Sequence, residues 1–436
     1  MILSMLVYVT SITNRLRYTF DLLLKDLICI DYEITTDSDK FSFYTGPKFN
    51  YSTEPIGEEL FFYSTNLLFE KKIRTQDLSV FEWNDIKAFF ATHPKYVIPF
   101  DPFAASFFMV CRYEEYLSFT PDKYQRFDAA ESLAFQKGFL NKPIVNIYAK
   151  KIKQIFKENF PEINFREKSY KYISTVDIDN AWAYKEKGLI RTCGALIRSL
   201  TSFDFELFFE RITVLSGRKK DPYDTYDLLT ELQNKYNLQM IYFFLLGDYA
   251  ENDKNVSISS KKFQSLIKSI ADYSETGIHP SFYSNQRTGR MRLEQSRLQK
   301  IVMREISKSR QHFIKLSFPS TYRQLIDADI TDDFSMGFSG EIGFRAGICT
   351  SFYFYDLERE TETRLRIHPF AVMDATLRYY MKIMPAEALS YVGPIIKEIK
   401  AVNGTFITIW HNESISNKKP WEGWRGVYEE IIKAAL

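Results

Sequence analysis

The sequence predicts an α/β fold built from two units, residues 1–165 and 166–436, and three observations carry that reading. At 436 residues the chain is longer than one usual domain and has room for two. A polar segment at 158–170 (ENFPEINFREKSY) interrupts the apolar pattern and contains a proline. Beyond it, short apolar runs alternate with longer helical stretches, the pattern of parallel βα units in a barrel or a doubly wound sheet.

In the first unit, residues 3–9, 41–44 and 60–63 read as strands of a mixed α/β arrangement. Residues 104–117 (AASFFMVCRYEEYL) read as a helix, with aromatics at helical spacing and Asp101-Pro102 placed to start it. Glu114 and Glu115 are expected at its solvated end. A second helix is expected over 144–156. In the second unit, strands are expected at 172–176, 240–246, 313–318 and 405–410. Helices are expected at 226–235, 261–274, 291–313 and 386–401.

Composition narrows the function classes. Hydrophobic residues make up 45% and charged residues 26%, enough for an ample core. The 57 basic and 55 acidic residues leave a net charge of +2, which carries no nucleic-acid footprint. With 28 Tyr and 38 Phe the chain is rich in aromatics, which suit either a large aromatic core or a sugar-binding surface. Cys29, Cys111, Cys193 and Cys349 lie far apart with no CxxC spacing, against a disulfide framework or a thiolate zinc site. The N-terminal stretch MILSMLVYVTSITNR lacks a basic region before its apolar part and reads as a first core strand. No apolar run is long enough to span a membrane, so a cytoplasmic protein is expected. Neither GxGxxG nor GxxxxGK[ST] occurs, against dinucleotide and P-loop readings.

Chemistry collects in the second unit. The apolar run Tyr172-Ile173-Ser174-Thr175-Val176 leads into Asp177-Ile178-Asp179, two carboxylates leaving a strand end about 7 Å apart. One can hold a metal while the other takes a proton, and a cation relieves their repulsion. Of five histidines, His279 and His411 follow apolar runs, where βα folds place their sites. His93, His312 and His368 are given structural roles.

The order strand-DxD, GIHPS (277–281), GFRAG (343–347) and IWHN (409–412) resembles the metal-dependent polysaccharide deacetylases of the nodulation-type chitooligosaccharide deacetylase superfamily. The resemblance implies a distorted (β/α) barrel of the polysaccharide deacetylase type over 166–436. The preceding unit resembles the accessory domain of some bacterial members. By that resemblance Asp177 is the catalytic base, Asp179 and His279 are metal ligands, and Arg345 orients the base. Asp374 would position Arg345, and His411 would be the general acid. The family usually has adjacent acids where Ile178 intervenes here, and a second histidine where Tyr283 stands. Tyr283, Ser281 or Asn285, or another histidine, would then complete a divalent site, expected to be zinc.

The function so implied is removal of acetyl groups from an N- or O-acetylated polysaccharide or glycan precursor, with Phe282, Tyr283 and Trp410 against the sugar. Two alternatives stand beside it. One is a non-catalytic carbohydrate-binding or scaffold protein on the same fold, motivated by the missing second histidine. The other is a glycosyltransferase that uses its DxD to hold a metal and a nucleotide diphosphate.

Overall fold

The computed structural model describes residues 4–284 and 289–436. Leu3 of the first expected strand and Asn285 of the expected ligand group lie outside the described residues. Four parallel strands form the first sheet: β1 (Met5–Val9), β2 (Tyr32–Thr35), β3 (Lys48–Ser52) and β4 (Leu60–Tyr63), in the order β2-β1-β3-β4. A small hairpin follows, β5 (Phe81–Trp83) and β6 (Ile86–Ala88).

Nine strands form the large sheet. They are β7 (Lys171–Ile178), β8 (Gln239–Phe244), β9 (Glu275–Ile278), β10 (Lys308–Ser309), β11 (Asp332–Asp333), β12 (Phe352–Asp356), β13 (Thr361–Ile367), β14 (Val372–Met373) and β15 (Thr405–His411). Their order is β12-β13-β11-β10-β9-β8-β7-β15-β14, parallel throughout except for β12 against β13. β7 is buried from Tyr172 to Ile178, as a strand covered on both faces must be. The row ends at β12 and β14, and among the described residues no pairing joins them to close the expected barrel.

Several expected elements shift for identifiable reasons. Residues 41–44 are not a strand. The Asp37 side chain accepts from the N–H groups of Asp39 and Lys40 and starts the helix Ser38–Phe43. The helix expected over 104–117 runs Pro102–Val110, capped by Asp101, and breaks at Arg112, whose φ of 54° is left-handed. The helix expected over 291–313 stops at Val302, because Met303 turns left-handed at φ 55°. The chain then has room for β10, and 313–318 begins in a turn with Phe313 at φ 61°.

The two sheets share one continuous apolar core. Polar contacts tie the units together as well: Arg15 pairs with Glu360, and the Tyr18 hydroxyl donates to the Tyr353 carbonyl at 2.7 Å. The Val145 N–H donates to Gly347 O at 2.9 Å. Gly343 sits at φ +127°, and a Cβ there would lie 2.5 Å from the Leu140 carbonyl oxygen, so this close approach requires glycine. The GFRAG stretch therefore packs closely against the chain around Leu140 and Val145.

Candidate metal centre

The C-terminal ends of five parallel strands converge on one cavity of about 400 Å³. Asp177 and Asp179 come from the end of β7, His279 follows β9, and Arg310 and His312 follow β10. His411 ends β15, directly opposite Asp177 in register, and Asp374 follows β14. Strands stop here because each gives way to a polar residue or a turn that cannot continue the buried ladder.

Asp179, His279 and His312 bring one ligand atom each to within 4.8 Å of one another. His279 Nε2 lies 3.2 Å from Asp179 Oδ1, and His312 Nε2 lies 3.3 Å from Asp179 Oδ2. Outer partners fix both rings. His279 Nδ1 is 2.6 Å from the Arg310 carbonyl oxygen, which can only accept, so Nδ1 carries the proton and Nε2 presents its lone pair. His312 Nδ1 is 2.9 Å from Asp253 Oδ1, and Asp253 in turn accepts from the Phe282 N–H at 2.9 Å. His279 Nε2 and Asp179 Oδ1 are buried with no hydrogen-bond partner. Two inward imidazole nitrogens, each ring held by an outer partner, and a carboxylate fit a divalent ion of the zinc type.

Carboxylates and imidazoles at the site shift one another. Burial alone raises Asp179, but the charges of His312 and His411 outweigh it, holding the carboxyl well below its usual range. Burial lowers His312, and Asp179 and Asp253 overcome this to raise it to about 9. Burial likewise opposes protonation of His411, yet Asp374 and Asp179 raise it well above the ordinary histidine value. Glu413, on the cavity wall, is pushed up to about 7 by burial.

Asp177 is 2% exposed and lies 3.5 Å from Arg310 Nη1 through Oδ1. Its other oxygen is 3.8 Å from His279 Nε2. Arg310 is fully buried, donates Nε–H to the Phe334 carbonyl at 3.1 Å, and rests over the Phe243 ring. It stands where the sequence reading placed Arg345. Arg345 is instead bonded to Glu115 through Nε at 2.8 Å and Nη2 at 2.5 Å, in the seam between the units. Glu115 also accepts from Arg112 at 2.8 Å, so it is a buried ion-pair centre and not a solvated helix end.

Asp374 also differs from its expected role. It does not meet Arg345: its Oδ1 lies 2.8 Å from His411 Nδ1, and its Oδ2 accepts from the His411 N–H at 2.7 Å. Tyr283 lines a separate surface cleft with Asp248 and Arg290, outside the Asp179 cluster. Ser281 is turned to Glu294, which accepts from its N–H and its hydroxyl. Trp410 is fully buried against Tyr428, on the core side of β15. The aromatics that face the cavity are Tyr124, Phe313, Tyr379, Tyr380 and Trp421.

Three residues at the candidate site escaped the sequence reading. His312 was hidden by extending the preceding helix to 313; ending it at Val302 exposes a short strand followed by Arg310-Gln311-His312. Arg310 follows from the same correction. Arg126 reaches the cavity from the first unit, donating to the Phe313 carbonyl at 2.6 Å and to the Tyr380 hydroxyl at 3.2 Å. His93 and His368 stay outside; His368 stacks on Phe334 and pairs with Asp332 at 2.7 Å.

Residues 5–161 match a family of unknown function, DUF7033. No curated protein matches the sequence. Solved structures similar to part of the chain include the following three. One, from Mycobacterium smegmatis, is described as a polysaccharide deacetylase; it is 12% identical with a TM-score of 0.40, over 61% of this chain and 85% of that one. A polysaccharide deacetylase from Bacillus cereus is 11% identical with a TM-score of 0.30, over 62% and 87%. A mutant of a CE4 family pseudoenzyme with restored enzymatic activity is 12% identical with a TM-score of 0.26, over 61% and 64%.

Proposed function

We propose that this protein is a divalent-metal-dependent hydrolase that removes acetyl groups from an N- or O-acetylated glycan. The observation that carries the reading is the Asp179-His279-His312 cluster with a buried carboxylate on one side and an imidazole on the other. The missing second histidine motivated a binding-only alternative, and His312 supplies that donor from the next strand.

Asp179, His279 and His312 would hold the ion, expected to be zinc, whose Lewis acidity eases both deprotonation of water and attack on an acyl carbon. Asp177 accepts the proton from the attacking water. Arg310, with Nη1 3.5 Å from Asp177 Oδ1, is placed to aim that carboxylate. His411 faces Asp179 from across the cavity, its Nε2 3.7 Å from Oδ2. With Nδ1–H donated to Asp374, Nε2 is the atom that delivers a proton to the departing sugar nitrogen or oxygen. Acetate and the freed sugar amine or hydroxyl are the products. Tyr124, Tyr379 and Tyr380 offer ring faces for the glycan, and Lys123 offers a donor to its hydroxyls.

The test is acetate release from acetylated chitooligosaccharides and acetylated xylan by zinc- and cobalt-loaded protein, with Asp177→Asn and His411→Ala alongside. Turnover that falls at least about a hundredfold in each variant, with metal content unchanged, is expected. Metal-loaded protein that releases acetate from neither class, or variants as active as the native chain, would refute the assignment.

A further inference from the structure

The turn that carries His312 is one its own sequence does not favour. Residues 309–315 read Ser-Arg-Gln-His-Phe-Ile-Lys, without a glycine or an asparagine. Yet Phe313 sits at φ 61° and Ile314 at φ 54°, two successive side chains in the left-handed region. That region crowds any Cβ, and a branched one such as that of isoleucine most of all. Backbone of this kind persists only where its surroundings over-determine it.

Here they act on both sides of the peptide that joins Phe313 to Ile314. Its N–H donates to the Gln311 carbonyl at 2.9 Å. Its carbonyl accepts from Arg126 Nη1 at 2.6 Å, from 187 residues earlier in the chain. The residues just before it are held by the chain that follows β9 and β11. The Gln311 N–H donates to the Ser335 hydroxyl at 2.8 Å, and the His312 N–H to the Pro280 carbonyl at 3.2 Å. The Phe313 ring is boxed by Tyr124, Phe282 and His312, with centroids 5.1, 5.2 and 4.7 Å away.

Arg126 is placed to hold this turn. It is 4% exposed, its Nε donates to Asp122 Oδ2 at 2.8 Å, and its Nη2 donates to the Tyr380 hydroxyl at 3.2 Å. Asp122 Oδ1 accepts from the N–H groups of Tyr124 and Arg126 at 2.8 and 2.9 Å, which closes the loop that presents Arg126. A planar fork fixed along one edge delivers its remaining N–H groups at set angles, which a flexible ammonium does not. Beyond the turn, His312 Nδ1 meets Asp253 at 2.9 Å and Nε2 stands 3.3 Å from Asp179. Asp253 thus sets the rotation of the ring, and Arg126 sets the backbone from which the ring projects.

We propose that Arg126 is a positioning residue of the metal centre, through which the chain ahead of β7 holds the left-handed turn and keeps His312 Nε2 in ligating position. The proposal rests on the Asp179-His279-His312 ligand set. Competition of the metal-free proteins with zinc chelators of graded affinity tests it. The set is the native chain, Arg126→Ala, Arg126→Lys and His312→Ala, with each Arg126 replacement also combined with His312→Ala. Zinc affinity should fall about tenfold in Arg126→Ala, as it does when a partner behind a ligand is lost. Arg126→Lys keeps a cation beside Asp122 without the fork, so it should unfold at the native temperature and show a smaller loss of affinity. Each combined variant should bind as His312→Ala does alone, because a residue that acts through His312 then has nothing left to position. A merely structural arginine would lower affinity equally in both backgrounds. Should Arg126→Ala not fold, Arg126→Lys carries both comparisons. Native zinc affinity in the folded Arg126 variants, or losses that multiply on His312→Ala, overturns the proposal and leaves the ligand set standing. A native chain that binds no zinc refutes the ligand set, and the proposal falls with it.

Discussion

Replacing His312 by alanine separates the ligand set proposed from the structure from the one legible in the sequence. His312 supplies one of three donor atoms that lie within 4.8 Å of one another, so its loss leaves Asp179 and His279 alone. Asp253 sets the scale for a smaller perturbation. It is fully buried, and its Oδ1 receives both His312 Nδ1 and the Phe282 N–H at 2.9 Å, which aims His312 Nε2 at Asp179. Loss of such an outer partner weakens metal binding by about 10–100-fold, or ~1.4–2.7 kcal/mol. Asp253→Asn keeps an acceptor oxygen and loses only the charge, so it belongs near the tenfold end. Asp253→Ala lets the ring turn and belongs near the hundredfold end. His312→Ala removes the ligand itself and exceeds both, whereas Tyr283→Phe binds as the native chain does. Competition of the metal-free proteins with a fluorescent zinc chelator measures all four. Native affinity in His312→Ala, or a loss in Tyr283→Phe, refutes the ligand set.

Two further predictions concern stability. Glu115→Gln leaves Arg345 and Arg112 buried without their shared carboxylate and should cost about 3–5 kcal/mol in urea unfolding, with zinc affinity of the folded protein unchanged; a cost within the error of the measurement contradicts a structural role for the pair. Asp333, fully buried, is raised to about 6 chiefly by burial, against hydrogen bonds from Ser335 and the charge of Arg310. Since its folded-state value lies above the unfolded one, the folded chain binds the extra proton between the two values. The contribution is complete below about pH 4 and disappears as pH climbs through about 6, a change of roughly 3 kcal/mol at most. Asp333→Asn should flatten that part of the stability profile, and an unchanged slope between pH 4 and 6 counts against it.

Local chemistry made a good part of this protein legible. A β-branched run into paired acids marks a strand end whatever surrounds it, and β7 with Asp177 and Asp179 lies where that pattern put it. Thr405–His411 was legible for the same reason, and Asp101-Pro102 starts a helix through groups within three residues of each other. What the sequence by itself determined, then, is what neighbours along the chain decide: alternating strands and helices, and two carboxylates and two imidazoles at strand ends.

Only the tertiary structure decided which polar groups meet. β10 has two residues, too few for any periodicity, so the strand that delivers Arg310 and His312 exists only through its pairing with β9 and β11. Arg345 carries a motif's spacing, yet its partner Glu115 lies 230 residues away, and an ion pair buried between two units is chosen by how they pack. Asp374 reads locally as a helix start and becomes the partner of His411 because β14 lies beside β15. The helices Leu189–Thr201 and Phe205–Leu215 have amphipathic sequences, and in the fold Glu210 accepts from the Tyr184 hydroxyl while Ile190, Ile197, Phe205 and Phe209 face outward. Hydrophobic spacing states that a face exists; the anchoring contacts decide where it points.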